Sequence, residues 1–437
     1  MGAMPDRHPI SRRAFLKGGA AFLLGAPYII PSKVWGAKKR ISPSNRIVMG
    51  TIGVGGQGTG DMENFLWSDT VQMVAVCDVD RKHREDAQKK VEKHYSENKP
   101  GGPWKGCASY NDFRELLARD DIDAVLIATP DHWHVPIAIA AARAGKDMYC
   151  EKPLTLTIGE GRTLCDVMKR TGRVLQTGSQ QRSDQRFRQA CELARNDRLG
   201  RLHTITTHLP GGTETGVQPA QPVPDGFDYE MWLGPAPWAP YTEQRCHWNF
   251  RWIYDYAGGE PTDWGAHHND IAQWGNGTEL TGPIEVDGKG VFPKEGLWNA
   301  PVSFRIEYKY ANGVRLVCED GDPQTILFEG NKGWVKVSRE GIWAEPESLL
   351  RERIGPDEVR LYESRDHKDN FLECVKTRQE TVAPPEIAHR SVTVCHLGNI
   401  SMRLGKKLAW DPDLERFVND PEADRMIHRA MRAPWTL

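Results

Sequence analysis

A six-residue glycine run constrains this chain more than any other feature. Gly53-Val54-Gly55-Gly56-Gln57-Gly58 follows an apolar stretch (Ile47, Val48, Met49, Ile52) and precedes residues 58–67, which can open a helix. Gly53, Gly55 and Gly58 satisfy G-x-G-x-x-G. The first permits a tight turn, the second lets a pyrophosphate approach the backbone, and the third lets the helix pack close to the strand. Among 42 glycines a bare match is weak. Its place between strand and helix gives it meaning, because N–H groups at a helix N-terminus then face the phosphates. A second apolar strand, 71–77, ends in Asp78, 20 residues after Gly58. A carboxylate there hydrogen-bonds the adenosine ribose and repels a 2′-phosphate, which favours NAD. Arg81 pulls the other way and keeps NADP open.

The alternation continues. Residues 80–93 read as a charged helix, 97–106 as a Pro/Gly-rich insertion and 112–119 as a short helix. Residues 124–128 read as a buried strand, 136–144 as an Ala-rich helix, and 147–150 and 174–178 as further strands. Repeated strand–helix alternation predicts a doubly wound parallel sheet, an α/β fold whose ligands sit beyond the carboxyl ends of the strands.

After the strand at 147–150 comes Glu151-Lys152-Pro153, and further on Gly258-Gly259-Glu260-Pro261-Thr262-Asp263-Trp264-Gly265-Ala266-His267. The glycine fingerprint, then E-K-P, then D-x-G-x-H, in that order, resembles the Gfo/Idh/MocA oxidoreductases, the relatives of glucose–fructose oxidoreductase and inositol dehydrogenase. The resemblance spans roughly residues 46–437. It implies an N-terminal Rossmann domain and a C-terminal α/β domain with a large open, mostly antiparallel sheet, whose exposed face often joins homo-oligomers. It also implies that Lys152, Asp263 and His267 are catalytic. Thr129-Pro130-Asp131-His132-Trp133-His134 resembles the family's T-P-N-x-x-H segment, with Asp131 where Asn is common. The resemblance thus adds Thr129, Pro130, His134 and Glu151 to a cofactor set that begins with Gly53, Gly55, Gly56, Gly58, Asp78 and Arg81.

The chemistry can be read independently. Oxidising a secondary alcohol needs a hydride acceptor over the carbon, a group to take the hydroxyl proton and a donor to stabilise developing alkoxide. An unperturbed histidine titrates near neutrality, so His267 suits the proton transfer. The Lys152 ammonium suits the donor's task, since it can hydrogen-bond the hydroxyl and lower its effective pKa. Asp263 lies at i−4 from His267, on one helix face if 263–273 is helical; it either binds substrate or positions His267. Taken singly, a buried lysine is more often a satisfied ion pair, and an Asp/His pair at this spacing is often an exposed helix pair. The ordered motif set is what favours catalysis.

His267 and His268, with His247 and Asp270, bring a metal to mind. Adjacent helical histidines point about 100° apart and do not share an ion easily, so no metal is expected. Tryptophans 232, 238, 248, 252, 264 and 274 crowd the same region. Such rings stack on sugar C–H faces or simply fill cores. Trp133, Arg182, Trp248, Arg251, Trp264 and His268 are the substrate-pocket candidates.

The N-terminus reads as an address. Ser11-Arg12-Arg13-Ala14-Phe15-Leu16-Lys17 is a twin-arginine block, and the 13-residue apolar run from Gly18 to Ile30 is too short for a span of about 20 residues. Residues 1–37 are therefore expected to be an export signal read by the twin-arginine machinery, leaving a soluble periplasmic or extracytoplasmic protein with no stable membrane insertion. The expected domains are 46–180 for the cofactor and 181–405 for substrate and oligomerisation, beginning with the alternating strand 202–208. Within the latter, 302–310 and 314–319 form a hairpin around Asn312-Gly313, and 370–377 and 387–404 are helical. Residues 406–437 read as a C-terminal arm with few strand signals. Lys plus Arg number 57 against 59 Asp plus Glu, a balance that argues against a nucleic-acid partner. Nine Cys without a C-x-x-C pair exclude a zinc ribbon, and most are expected to be buried thiols.

Three functions compete. The first is an NAD(P)-dependent oxidoreductase acting on a sugar, glycoside or polyol. The second follows from export: outside the inner membrane a bound nicotinamide must be restored in each cycle, which favours redox-neutral glycoside cleavage or epimerisation through a keto-sugar. The third is a non-catalytic carbohydrate- or cofactor-binding protein, against which the intact Lys152, Asp263 and His267 speak.

Overall fold

Six short strands make the first sheet: β1 (Ile47–Ile52), β2 (Val71–Cys77), β3 (Ala108–Tyr110), β4 (Ala124–Ile127), β5 (Asp147–Cys150) and β6 (Leu175–Thr177). The structure is a computed structural model that describes residues 45–98 and 103–437, so the signal expected at 1–37 and the centre of the insertion lie outside the described residues. The strand order is β3-β2-β1-β4-β5-β6 and every pairing is parallel. Every residue of β4 and β5 is buried, as the apolar runs of a doubly covered sheet require. The order reverses between β1 and β4, which opens a crevice beyond Ile52 and Ile127.

Helices α1 (Gly56–Leu66), α2 (Arg81–Asn98), α3 (Phe113–Leu117), α4 (Asp131–Arg143) and α5 (Ile158–Thr171) form the crossovers. A capping box starts α5: Thr157 Oγ1 accepts from Glu160 N (3.2 Å) while the Glu160 carboxylate accepts from Thr157 N (3.2 Å). Two helices exceed their expected limits. α4 begins at Asp131 rather than 136, because Pro136 sits inside it and forfeits one backbone bond instead of starting the helix. α2 runs on to Asn98, into what reads as insertion. β3 is three residues long, too short to show a period.

The second sheet holds β7 (Leu202–Leu209), β8 (Glu285–Val291), β9 (Ser303–Lys309), β10 (Arg315–Asp320), β11 (Ile326–Gly330), β12 (Gly333–Val337), β13 (Ile342–Glu345), β14 (Leu408–Asp411) and β15 (Arg416–Phe417). Its order is β13-β12-β11-β7-β10-β9-β8-β14-β15, antiparallel except for β7 with β10. Burial alternates along β9, so one face is covered. The covering helices include α6 (Gln185–Arg195), α9 (Gly265–Asn276) and α11 (Pro385–Leu404); between them in sequence come α7 (Tyr229–Leu233), α8 (Glu260–Asp263) and α10 (His367–Thr377). Phe187, Trp274, Leu397 and Phe328 share this core.

Two features correct the expected organisation. Residues 406–437 are not only an arm, since β14 and β15 extend the sheet edge and Trp410 and Phe417 enter its core. Helix α10, in the second half of the chain, packs back on the first sheet: Phe371 and Leu372 join Met49, Phe65 and Tyr149, and Arg378 holds Asp147 at 2.5 Å. Residues Ile47–Leu437 accordingly make one compact unit. All nine cysteines are buried free thiols. Among the described residues no helix is long and apolar enough to cross a membrane.

Candidate active site

A cavity of about 930 Å³ opens beyond the carboxyl ends of β1, β2, β4 and β5. Gly53 turns at φ +84°, where a Cβ would lie 2.6 Å from Ala128 O; a Cβ on Gly58 would lie 2.0 Å from Gly53 O. Among the described residues, a Cβ on Gly55 or Gly56 would meet nothing within 4 Å. Two glycines therefore allow close packing, and two leave open space before the unpaired N–H groups of α1. That is the shape a pyrophosphate needs.

Asp78 lines the cavity further along. Its Oδ2 accepts from Val54 N (2.8 Å) and its Oδ1 from Asp80 N (2.9 Å), which fixes the carboxylate. Arg81 is exposed, donates its backbone N–H to Gly226 O (2.9 Å), and does not line the cavity. Thr129, Pro130 and Glu151 do line it. His134 does not: its ring nitrogens lie 2.7 Å from Pro153 O and 2.8 Å from Thr129 O, so it braces the wall from behind. Burial raises the Glu151 carboxyl, and the nearby Asp61 raises it further.

Lys152, Asp263 and His267 meet at the other end of the cavity. Trp264 keeps helical dihedrals between α8 and α9, so Asp263 and His267 occupy successive turns. Asp263 is bound elsewhere, however. Its Oδ1 accepts from the Lys152 ammonium and its Oδ2 from Arg251 Nε (3.0 Å). Burial pushes this carboxyl up, but the two cations together outweigh it and hold it at about 2. Burial drives His267 well below its ordinary value, with Lys152 and Arg339 adding to the effect. It is therefore a neutral imidazole, and its Nδ1 is buried without a hydrogen-bond partner among the described residues. Asp131 lines the same end, and burial, reinforced by Asp263, raises its carboxyl well above the usual range. Glu260, one turn before Asp263, is also buried; burial first and Asp263 second push it up to about 8, and its Oε2 has no partner among the described residues.

Of the substrate candidates, Trp133, Trp248, Arg251 and Trp264 line the cavity. Trp248 is exposed and carries the Arg251 guanidinium 3.7 Å from its ring centre, while Arg339 lies 4.8 Å from that of Trp264. Arg182 and His268 are corrections. Arg182 is 2% exposed and spent on Asp270 (2.6 Å) and Glu279 (3.3 Å), away from the cavity. His268 is buried and, turned by its helix from His267, does not line the cavity. Among the described residues, Asp80, His83 and His247 alone bring three potential ligand atoms within 4.8 Å of one another. Asp61, Gln180 and Arg339 also line the cavity without having been anticipated. The first two lie near motifs that could have flagged them, whereas Arg339 follows β12 with no local signal.

Residues 47–179 match the profile described as an oxidoreductase family, NAD-binding Rossmann fold. Residues 211–437 match that of an oxidoreductase family, C-terminal alpha/beta domain. A glycosyl hydrolase family 109 protein from a Shewanella species is 35% identical over 178 residues, 38% of either chain. An alpha-N-acetylgalactosaminidase of Shewanella oneidensis shows the same identity and coverage. This chain thus spans well under half the length of these curated relatives. The aldose–aldose oxidoreductase of Caulobacter crescentus, solved with glycerol, shares the fold at TM-score 0.60 and 20% identity, over 83% of this chain and 99% of its own.

Proposed function

Since this chain belongs to the Gfo/Idh/MocA family of oxidoreductases, we propose that it holds NAD and performs redox-neutral chemistry on a glycoside. A sugar carbinol is oxidised to a ketone, the glycosidic bond is cleaved beside it, and the ketone is reduced again. The observation that carries this reading is the charged Lys152–Asp263–Arg251 group set beside a neutral His267 at the end of a glycine-lined cavity. The glycosidase relatives favour cleavage over simple dehydrogenation. Bound along Gly53–Gly58 and Asp78, NAD would supply the hydride acceptor and later the donor. The fixed Asp78 carboxylate, with Arg81 outside the cavity, favours NAD over NADP. The Lys152 ammonium donates to the sugar hydroxyl and stabilises negative charge on that oxygen. Neutral His267 takes the proton. Asp263 pairs with Lys152 and orients it rather than acting on His267.

A closed redox cycle suits a protein exported with its cofactor, and we propose such export on the twin-arginine block at 11–17. Cell fractionation tests it; a protein found only in the cytoplasm would count against it. For the chemistry, protein cut near Ala37 is purified without added cofactor and denatured, and the released nucleotide is identified by mass spectrometry. Near-stoichiometric NAD, with glycoside turnover needing no added NAD, is the expected result. Protein that arrives empty and binds neither NAD nor NADP would overturn the reading.

A further inference from the structure

We propose that Asp131 is the acid that protonates the departing oxygen when the glycosidic bond breaks, and that it recovers a proton when water adds. The inference rests on the redox-neutral reading above and supplies a group that reading lacks. Once a ketone stands beta to a glycosidic C–O bond, cleavage needs two proton transfers. A base takes the proton from the carbon between them, and that C–H electron pair becomes a C=C bond. The C–O bond breaks, and its oxygen takes a proton from an acid. Water then adds back: its oxygen bonds the same carbon, one of its protons goes to the acid, and the C–H bond is restored. One water is consumed and nothing is oxidised overall. Once His267 has released the hydroxyl proton to solvent it is again a free base and serves the base side, and it recovers a proton for the final reduction; a second, protonated group is still required.

The carboxyls that line the cavity are Asp61, Asp78, Asp131, Glu151, Asp184 and Asp263. Five are committed. Asp61 accepts from Gln57 Nε2 (3.1 Å), and Asp78 from Val54 N and Asp80 N (2.8 and 2.9 Å). Glu151 accepts from Gln180 Nε2 (3.0 Å), Asp184 from Arg186 Nη2 (2.6 Å), and Asp263 from Lys152 and Arg251. Asp131 is 6% exposed, and its only hydrogen-bond partner among the described residues is its own backbone N–H. An uncommitted, nine-tenths-buried carboxyl facing a cavity is a group waiting for a ligand.

Its surroundings keep the proton on. Burial is the main cause and Asp263 repels the anion; Arg251 and Lys152 pull the other way, but both are already spent on Asp263. Cys150 on β5 faces it as well, buried and held as a neutral thiol by that burial. The start of α4 favours an anion at this position and supplies one donor, the Asp131 backbone N–H, but both effects are smaller than that of burial. The family's more common Asn has the same shape and no proton to give, so this position separates acid catalysis from mere shape.

The test compares wild type with Asp131→Asn on alkyl and nitrophenyl glycosides. Alkyl leaving groups need the acid, and their turnover should fall roughly 10²–10⁴-fold; nitrophenol leaves unaided, and its glycosides should lose less than about tenfold. Infrared difference spectra of the purified protein at neutral pH should show a protonated carboxyl C=O band that the variant lacks. Asp131→Glu, which keeps an acid, should recover part of the alkyl activity, and it serves if the Asn variant folds poorly. Equal losses on both glycosides, or no such band in wild type, would overturn the assignment while leaving the redox-neutral reading intact. Wild type that retains no dinucleotide and cleaves neither glycoside would overturn both.

Discussion

Glu260→Gln offers a test of the site's electrostatics that does not depend on any substrate. The Glu260 carboxyl is buried, its Oε2 has no partner among the described residues, and burial with Asp263 holds it at about 8 against an ordinary value of 4.5. The native state therefore keeps a proton that the unfolded chain releases above 4.5. Stability must fall as pH rises from 4.5 toward 8 and level off beyond, with a slope of about 1.4 kcal/mol per pH unit. Over the two units from about pH 5 to about pH 7 the loss is about 3 kcal/mol. Glutamine is neutral in both states and does not incur it. The variant should match wild type near pH 5 and exceed it by about 3 kcal/mol near pH 7. Urea unfolding of both proteins at several pH values reads this directly. Other buried carboxyls, Glu160 among them, titrate alike in both proteins and cancel in the difference. A stability difference that stays constant with pH would refute the reasoning, because it would mean that Glu260 is ionised in the folded protein.

Three further outcomes are expected. Gly58→Ala places a Cβ 2.0 Å from Gly53 O, so the fingerprint turn must shift; retention of NAD through gel filtration should be lost while circular dichroism stays native. Arg182→Met leaves Asp270 buried without its cation and should cost about 3–5 kcal/mol in denaturant titration, with KM unchanged because Arg182 does not line the cavity. Arg251→Leu removes one of the two cations holding Asp263 at about 2; its pKa rises, and the stability Asp263 contributes, complete above 3.8 in wild type and lost as pH falls through about 2, is lost at higher pH in the variant, which acid titration by fluorescence will show.

What was legible in the sequence was whatever local geometry dictates. A turn that admits only glycine at 53 and 58, followed by a carboxylate at 78, names its purpose in the chain itself. The i, i+4 spacing of Asp263 and His267 likewise placed both on successive turns. Direction was not legible. Arg182 and His268 have the right chemistry and sit near the right motifs, yet one is turned to Asp270 and the other away from the cavity. His134 stands in a cofactor motif but spends its ring on two carbonyls. The partner of Asp263 was also hidden, because Arg251 reaches it through a fold contact that no spacing encodes. Strands β14 and β15, four and two residues long, carry too little pattern to read as sheet.

The return of α10 to the first sheet has a consequence for how this molecule can be made and cut. Phe371 and Leu372 complete a core begun some three hundred residues earlier, so a ribosome cannot finish the cofactor half before most of the chain has emerged. A gene fragment ending near residue 180 would leave an apolar face bare and should aggregate. Any chimaera that exchanges the two halves between relatives must carry the α10 segment with the half it covers, not with the half it follows.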